Sequence, residues 1–255
     1  MKIFLTGHKG FIGSNLARAW AHYDLHTADW GDDWPDLKGF DWVVHVGAIS
    51  ATTERDVEKV MSQNYDYSVE LYECCLKYGV NFQFASSASV YGMGTVFEES
   101  VPVDPRNPYA WSKYLVERYI RQNPADNLRV QCLRYFNVYG PGEEHKGPQA
   151  SPFTQFERQA KEKGRITLFD VDSRRDFVHV KDVVNIQTMF LHSRASGVFN
   201  VGTGRTMSFR EIAELYDVPI DVVPLPDNLK ASYQSYTCAD MTRTYAALDM
   251  SLASM

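Results

Sequence analysis

Lys2-Ile3-Phe4-Leu5-Thr6-Gly7-His8-Lys9-Gly10-Phe11-Ile12-Gly13-Ser14-Asn15-Leu16-Ala17-Arg18-Ala19-Trp20 is the stretch that decides the fold. A short apolar run ends at Thr6, three glycines follow at intervals of three, and Ser14 to Trp20 has a helical composition. The stretch therefore reads as strand, glycine turn and helix. Glycines at such a turn let the backbone approach a pyrophosphate at the helix N-terminus. The spacing is GxxGxxG rather than GxGxxG, and an ordinary loop has the same look, so the rest of the chain must decide.

Outward from this stretch, Leu25 to Ala28 and Trp42 to Val46 read as further strands. From Val57 to Tyr78, positions 57, 60, 61, 64, 68, 71, 75 and 78 fall on one mostly apolar helical stripe that Gly79 ends. Asn81 to Ala85 is a strand. Pro108 suits the first turn of a helix running through Tyr119, and Leu128 to Leu133 is strand-like. This alternation predicts an α/β fold with a doubly wound parallel sheet. Farther on, Ser151-Pro152 opens a helix that Gly164 closes, Val178 to Val180 and Val198 to Val201 look like short strands, and Ser208 can cap a helix through Tyr216. These pieces suggest a smaller lobe interleaved with the sheet.

Composition narrows the function. The 255 residues are 44% hydrophobic, enough for a substantial core, and 26 Lys plus Arg against 32 Asp plus Glu give a formal net charge of −6. Such a balance offers no global positive field, so nucleic acid is not an expected partner. The most apolar stretch, Trp42 to Ile49, contains His45 and is far shorter than the roughly 20 residues that span a bilayer. The N-terminal apolar run is too short for a signal-peptide core, so a cytoplasmic address and no membrane contact are expected. Four cysteines, two adjacent at Cys74-Cys75, form neither a disulfide framework nor a metal-spaced set, so they read as reduced packing residues and no metal is expected.

Tyr109 and Lys113 lie four residues apart on one predicted helix, hence on one face. An ammonium beside a phenol favours phenolate and moves its pKa toward a value useful for proton transfer. Alone, a YxxxK pair is common by chance and reads better as surface decoration. Ser86-Ser87-Ala88-Ser89-Val90-Tyr91-Gly92, directly after a predicted strand, adds hydroxyls at the carboxyl edge, where α/β sheets bind ligands. Asp29, at the end of the second strand, can accept ribose hydroxyls or serve as a turn aspartate.

Together with Arg134-Tyr135-Phe136-Asn137-Val138-Tyr139-Gly140-Pro141-Gly142, Arg175 to Val183 and Phe199 to Gly204, these elements resemble the extended short-chain dehydrogenase/reductase superfamily of nucleotide-sugar enzymes over nearly the whole chain. Within it, Glu144-His145-Lys146-Gly147 and Pro226-Asp227-Asn228-Leu229-Lys230 with Tyr233-Gln234 are similar to the ADP-L-glycero-D-manno-heptose 6-epimerases. The resemblance implies a Rossmann domain over 1–150, completed by about 175–205, with a substrate lobe from 151–174 and 206–255. It implies tightly bound NADP or NAD, a nucleotide-diphosphate sugar substrate, and a homo-oligomer. The implied reaction oxidises C6 of the heptose transiently and returns hydride to its other face.

On matching positions, the resemblance makes Tyr109 and Lys146 the two acid/bases. Lys113 tunes Tyr109 and holds the nicotinamide ribose, and Ser87 hydrogen-bonds the reacting oxygen. Cofactor contacts fall on Gly7, Gly10, Phe11, Ile12, Gly13, Asp29, Val46, Gly47, Ala48, Ile49, Ser50, Asn64, Lys113, Val138 and Lys146. Substrate contacts fall on Ser87, Asn137, Phe169, Asp170, Arg175 and Tyr233, Arg175 and Tyr233 gripping the diphosphate.

The chain also departs from the family pattern. Only eleven residues separate Asp29 from Asp41, so another strand and the residues that grip a 2′-phosphate are largely missing, and Asp29 suits NAD better. Pro148 replaces a substrate-contacting serine and Gln155 a histidine. The family's terminal helices are expected beyond Met255, so substrate-lobe burial is lost or comes from a partner subunit. Competing readings are another nucleotide-sugar 4-epimerase, a ketoreductase with the same Tyr/Lys/Ser set, and a non-catalytic NAD(P)-binding sensor or interaction protein.

Overall fold

In β1 (Lys2–Thr6), Ile3 and Leu5 point to one face and Phe4 to the other, all fully buried. A strand apolar on both faces belongs inside a covered sheet. The computed structural model describes residues 1–227 and 234–250, and it places β1 in a six-stranded parallel sheet. Its other strands are β2 (Asp24–Ala28), β3 (Trp42–His45), β4 (Asn81–Ser87), β5 (Val130–Tyr135) and β10 (Gly197–Val201), in the order β10-β5-β4-β3-β1-β2. This is a Rossmann fold, as the alternation predicted.

Ile3, Leu5, Trp42 and Val44 pack with Leu16 and Trp20 from the end of α1 (Phe11–Ala19) and with Val184 and Leu191 of α6 (Val180–His192). On the other face, Phe4, Val43, Phe82, Phe84 and Cys132 meet Leu71, Tyr72 and Cys75 of α3 (Tyr67–Tyr78) and Val116 of α4 (Pro108–Gln122). The long stripe after Val57 is one helical path in three parts. It consists of α2 (Val57–Val60), a π-helical segment (Met61–Asp66) and α3, ended by Gly79 in the left-handed region at φ 72°. Val57 and Tyr78, at the stripe's ends, are exposed, while Val60, Asn64, Ser68, Leu71 and Cys75 are buried.

One expectation needs correction. Val180 was read as the end of a strand, but β9 is Phe177–His179 and Val180 begins α6, whose first turn His179 caps through Nδ1. The stretch between Asp29 and Asp41 holds no strand, and β2 is left as a sheet edge bonded to β1 alone.

Short pairs complete the architecture: β6 (Asn137–Tyr139) with β9, β7 (Ile166–Phe169) with β12 (Ile220–Val223), and β8 (Arg174–Arg175) with β11 (Met207–Ser208). Phe156 of α5 (Pro152–Lys163), Ile166, Leu168, Phe177, and Ile212 and Ala213 of α7 (Phe209–Glu214) form a separate small apolar cluster there. Asp176 staples the C-terminal segment to this region. Its buried carboxylate accepts N–H bonds from Thr203, Gly204 and Ala239 and the Thr203 hydroxyl, while α8 (Thr242–Ala247) packs on β10. No helix among the described residues is long and apolar enough to cross a membrane.

Candidate active site

The glycine turn is built for close approach. A Cβ on Gly7, which sits at φ 78°, would lie 2.4 Å from the Gly47 backbone, and one on Gly13 would lie 2.0 Å from the Gly7 carbonyl. Only glycine fits either place. Gly10 caps α1 with no side-chain hydrogen bond and there is no acidic residue in the first turn, so the helix N-terminus is open to an anion.

Above this turn lies a cavity of about 530 Å³. Gly7, Gly10, Phe11, Ile12, Gly13, Asp29, Val46, Gly47, Ala48, Ile49 and Ser50 line it, as do Tyr109, Lys113 and Lys146. Nearly all of the sequence-derived cofactor set thus converges on one space. Asn64 acts from behind it. Fully buried, it accepts from Ile49 N at 2.8 Å, donates to Ile49 O at 2.9 Å, and reaches Ser112 Oγ on α4 at 3.1 Å. Its amide fixes the cavity wall rather than bordering the cavity.

An adjoining cavity of about 370 Å³ shares Ile12, Ser50, Ser86, Tyr109, Tyr135, Lys146 and Gln149 with the first and adds Ser87, Ser89, Asn137, Val138 and Gln234. Val138 therefore faces this second space, and Asn137 is held there by bonds from Nδ2 to Asp176 O and Thr237 Oγ1. Phe169, Asp170 and Arg175 border neither cavity. Phe169 and Asp170 sit at the exposed end of β7, and the Arg175 guanidinium lies 5.6 Å from the Phe209 ring centroid. Tyr233 lies outside the described residues, as do Asn228, Leu229 and Lys230.

α4 carries Tyr109 and Lys113. Asn107 caps it by accepting from Ala110 N, and Pro108 opens it, so Tyr109 stands in the first turn against the end of β4. The Tyr109 side chain is partly buried. Burial raises its pKa, and a hydrogen bond with Ser87 acts in the opposite direction. This differs from the expectation that Lys113 would dominate. The Lys113 side chain is almost wholly buried, which pushes its own pKa down to about 7 against the opposing pull of Glu117. Burial penalises the charged form of each group, and the ammonium that would favour phenolate is itself only partly populated at neutral pH. Lys113 Nζ lies 5.9 Å from the Tyr109 ring centroid and 4.7 Å from that of Phe84.

Lys146 arrives from the 144–149 turn, its Nζ 4.6 Å from the Phe11 ring centroid. Burial lowers its pKa, with Glu143 opposing. Glu143, itself buried, organises this turn by accepting from Ser151 N, Ser151 Oγ and Thr154 Oγ1, and its carbonyl accepts Lys146 N. Gln155 ties the same turn down through bonds to the carbonyls of Pro148 and Ala150. The two departures from the family pattern therefore touch each other.

Sequence reasoning did not single out Tyr135, Ser89, Gln149 or Gln234. The hydroxyls of Tyr135 and Ser89 are buried without a hydrogen-bond partner among the described residues, and both border the second cavity. Buried polar atoms of this kind call for a ligand or water to satisfy them. Tyr135, Ser89 and Gln234 enter the sequence reading only as members of the segments Arg134 to Gly142, Ser86 to Gly92 and Tyr233-Gln234, with no role of their own. Among the described residues there is no group of three or more His, Cys, Asp or Glu able to hold a metal ion.

An open helix N-terminus, a turn that admits only glycine and a Tyr/Lys/Ser set at the carboxyl end of a parallel sheet define a dinucleotide-binding class of site. Residues 21–202 match the NAD dependent epimerase/dehydratase family, and the chain belongs to that family. Solved structures agree. The chain is similar to the Helicobacter pylori ADP-L-glycero-D-manno-heptose-6-epimerase at 26% identity and a TM-score of 0.86, covering 98% of this chain and 90% of that one. It is equally similar to the Thermotoga maritima UDP-glucose 4-epimerase in complex with UDP-glucose, at 26% identity, a TM-score of 0.86, and coverage of 98% and 93%. The Thermus thermophilus UDP-glucose 4-epimerase complex with NAD matches at 26% identity, a TM-score of 0.79, and coverage of 96% and 92%.

Proposed function

We propose that this protein inverts C6 of an ADP-heptose by transient oxidation and re-reduction on a tightly held dinucleotide. The observation that carries the reading is that Tyr109 and Lys146, supplied by different elements, both border the shared space between the two cavities. An epimerisation needs proton handling in two orientations of the same carbonyl, and a one-way reductase needs a single acid. The turn at Gly7 and the α1 N-terminus would hold the pyrophosphate, Asp29 the adenosine ribose, and Lys113 the nicotinamide ribose. When bound, the dinucleotide accepts a hydride from the sugar carbon and later gives it back. Ser87 orients the reacting oxygen, one of Tyr109 and Lys146 takes the hydroxyl proton, and the other returns a proton after the keto sugar has turned. Asn137 and the free hydroxyls of Tyr135 and Ser89 offer polar contacts to the sugar.

Incubation with ADP-D-glycero-D-manno-heptose and no added reductant, followed by proton NMR, tests the reading. The expected result is a mixture of C6 epimers with no net change in nicotinamide absorbance. An unchanged heptose alongside conversion of UDP-glucose would make the protein a 4-epimerase, and stoichiometric consumption of reduced cofactor would make it a ketoreductase. Lys146→Met is expected to slow epimerisation by about 10²-fold while dinucleotide affinity changes little. A full-rate Lys146→Met enzyme would remove the second acid/base.

Asp29 supports NAD over NADP. Its carboxylate lies 3.1 Å from His8 Nδ1 and 3.5 Å from Lys9 Nζ, so the two basic side chains of the glycine turn already face an anion. A 2′-phosphate would have to share them with a like charge. Calorimetric titration is expected to give a dissociation constant for NAD about tenfold or more below that for NADP. Equal affinities would refute the assignment.

A further inference from the structure

The indole of Trp30 is 51% exposed although it borders the 530 Å³ cavity beside Asp29. A large aromatic left half open on the wall of a ligand cavity has an unspent apolar face. It is also held in place. The Tyr67 ring meets it edge-on at 5.2 Å between centroids and 62°, and Trp34 braces Tyr67 from another side, donating Nε1–H to its hydroxyl at 2.9 Å. The eleven residues between Asp29 and Asp41 hold no strand and contribute the two tryptophans of this bracket, at the open β2 edge of the sheet, while Tyr67 comes from α3.

We infer that Trp30 is the platform on which the adenine ring of the dinucleotide stacks, and that Tyr67 and Trp34 are the positioning residues that hold its indole in place. The inference rests on the proposed dinucleotide site. With the pyrophosphate at the α1 N-terminus and the adenosine ribose at Asp29, the base lies on the far side of the ribose from the phosphates. Trp30, next in sequence to Asp29, flanks that position. A purine gains most from a flat, pre-positioned π-face, and stacking needs no hydrogen-bond pattern from the protein. The bracket thus supplies by stacking what a missing strand would supply by packing.

The purified full chain is titrated separately with AMP, nicotinamide mononucleotide and NAD, by calorimetry and by indole fluorescence. AMP and NAD are expected to quench indole emission, and Trp30→Ala is expected to weaken both by about tenfold or more. Binding of nicotinamide mononucleotide, which has no adenine, should not change. Trp30→Phe, which keeps a smaller π-face, is expected to recover most of the affinity, whereas a fold defect would weaken all three ligands together. AMP affinity in Trp30→Ala within twofold of the parent, with NAD still bound, would overturn the platform and leave the proposed reaction standing. Trp30-dependent AMP binding without turnover of any nucleotide sugar would do the reverse.

Discussion

Tyr109→Phe is expected to reduce turnover by about 10²-fold or more while dinucleotide affinity stays close to that of the parent. The substitution removes one hydroxyl from a partly buried ring and leaves its packing at the start of α4 intact. Burial holds the phenol above its ordinary pKa, so at neutral pH it keeps its proton and is set to donate. Abstraction needs a neighbouring cation, and Lys113, poised with a pKa of about 7 on the same helix face, is the group able to supply one. Steady-state rates together with NAD calorimetry separate the two effects. Turnover at the parental rate would take the acid/base role from Tyr109, and a matching loss of NAD affinity would recast it as a binding residue.

Arg134→Met is expected to destabilise the fold by about 3–5 kcal/mol, read as a large drop in thermal midpoint. Glu117 and Arg134 are both essentially inaccessible. Arg134 Nε donates to Glu117 Oε1 at 3.0 Å and Nη2 to Oε2 at 2.6 Å, and Ser86 Oγ also donates to Oε1. The guanidinium lies 4.7 Å from the Tyr91 ring centroid. Through these bonds α4 is fastened to β4 and β5 two turns beyond Tyr109. Removing the cation strands a carboxylate in the interior, whereas Glu117→Leu combined with Arg134→Met removes both charges and should recover most of the loss. If the double variant melted as low as the single one, the cost would lie in packing rather than in an unpaired charge.

The first strand, glycine turn and helix were legible because each local preference agreed with its neighbours, and the stripe after Val57 was legible because its period survived a wide turn. Most residues of the expected cofactor set line one cavity, since they cluster at strand ends that the alternation already placed. α6 was missed altogether. Val178-His179-Val180 has strand character, yet Val180, Val183, Val184, Gln187, Phe190 and Leu191 repeat at three and four residues, and that face is buried. Phe169, Asp170 and Arg175 fall away from the cavities because the pairings of β7 with β12 and β8 with β11 fix them, and partners some 30 to 55 residues away leave no local mark. The aromatic bracket is hidden for the same reason: Trp30 and Trp34 meet Tyr67 across more than thirty residues.

The π-helical turn at Met61–Asp66, where Tyr67 N–H reaches back to Ser62 O, gives one helix two angular phases. Within it, the winding aims Asn64 at the Ile49 backbone, and after it the winding aims Leu71 and Cys75 into the core. Regular α-helix advances about 100° per residue, so a uniform rod of this length could be indexed to one of those surfaces but not freely to both. The wide turn works as a vernier between them. It lets the binding-site half and the core half of the helix be set independently, and it makes the number of residues between Val60 and Tyr67 as much a constraint as their identity.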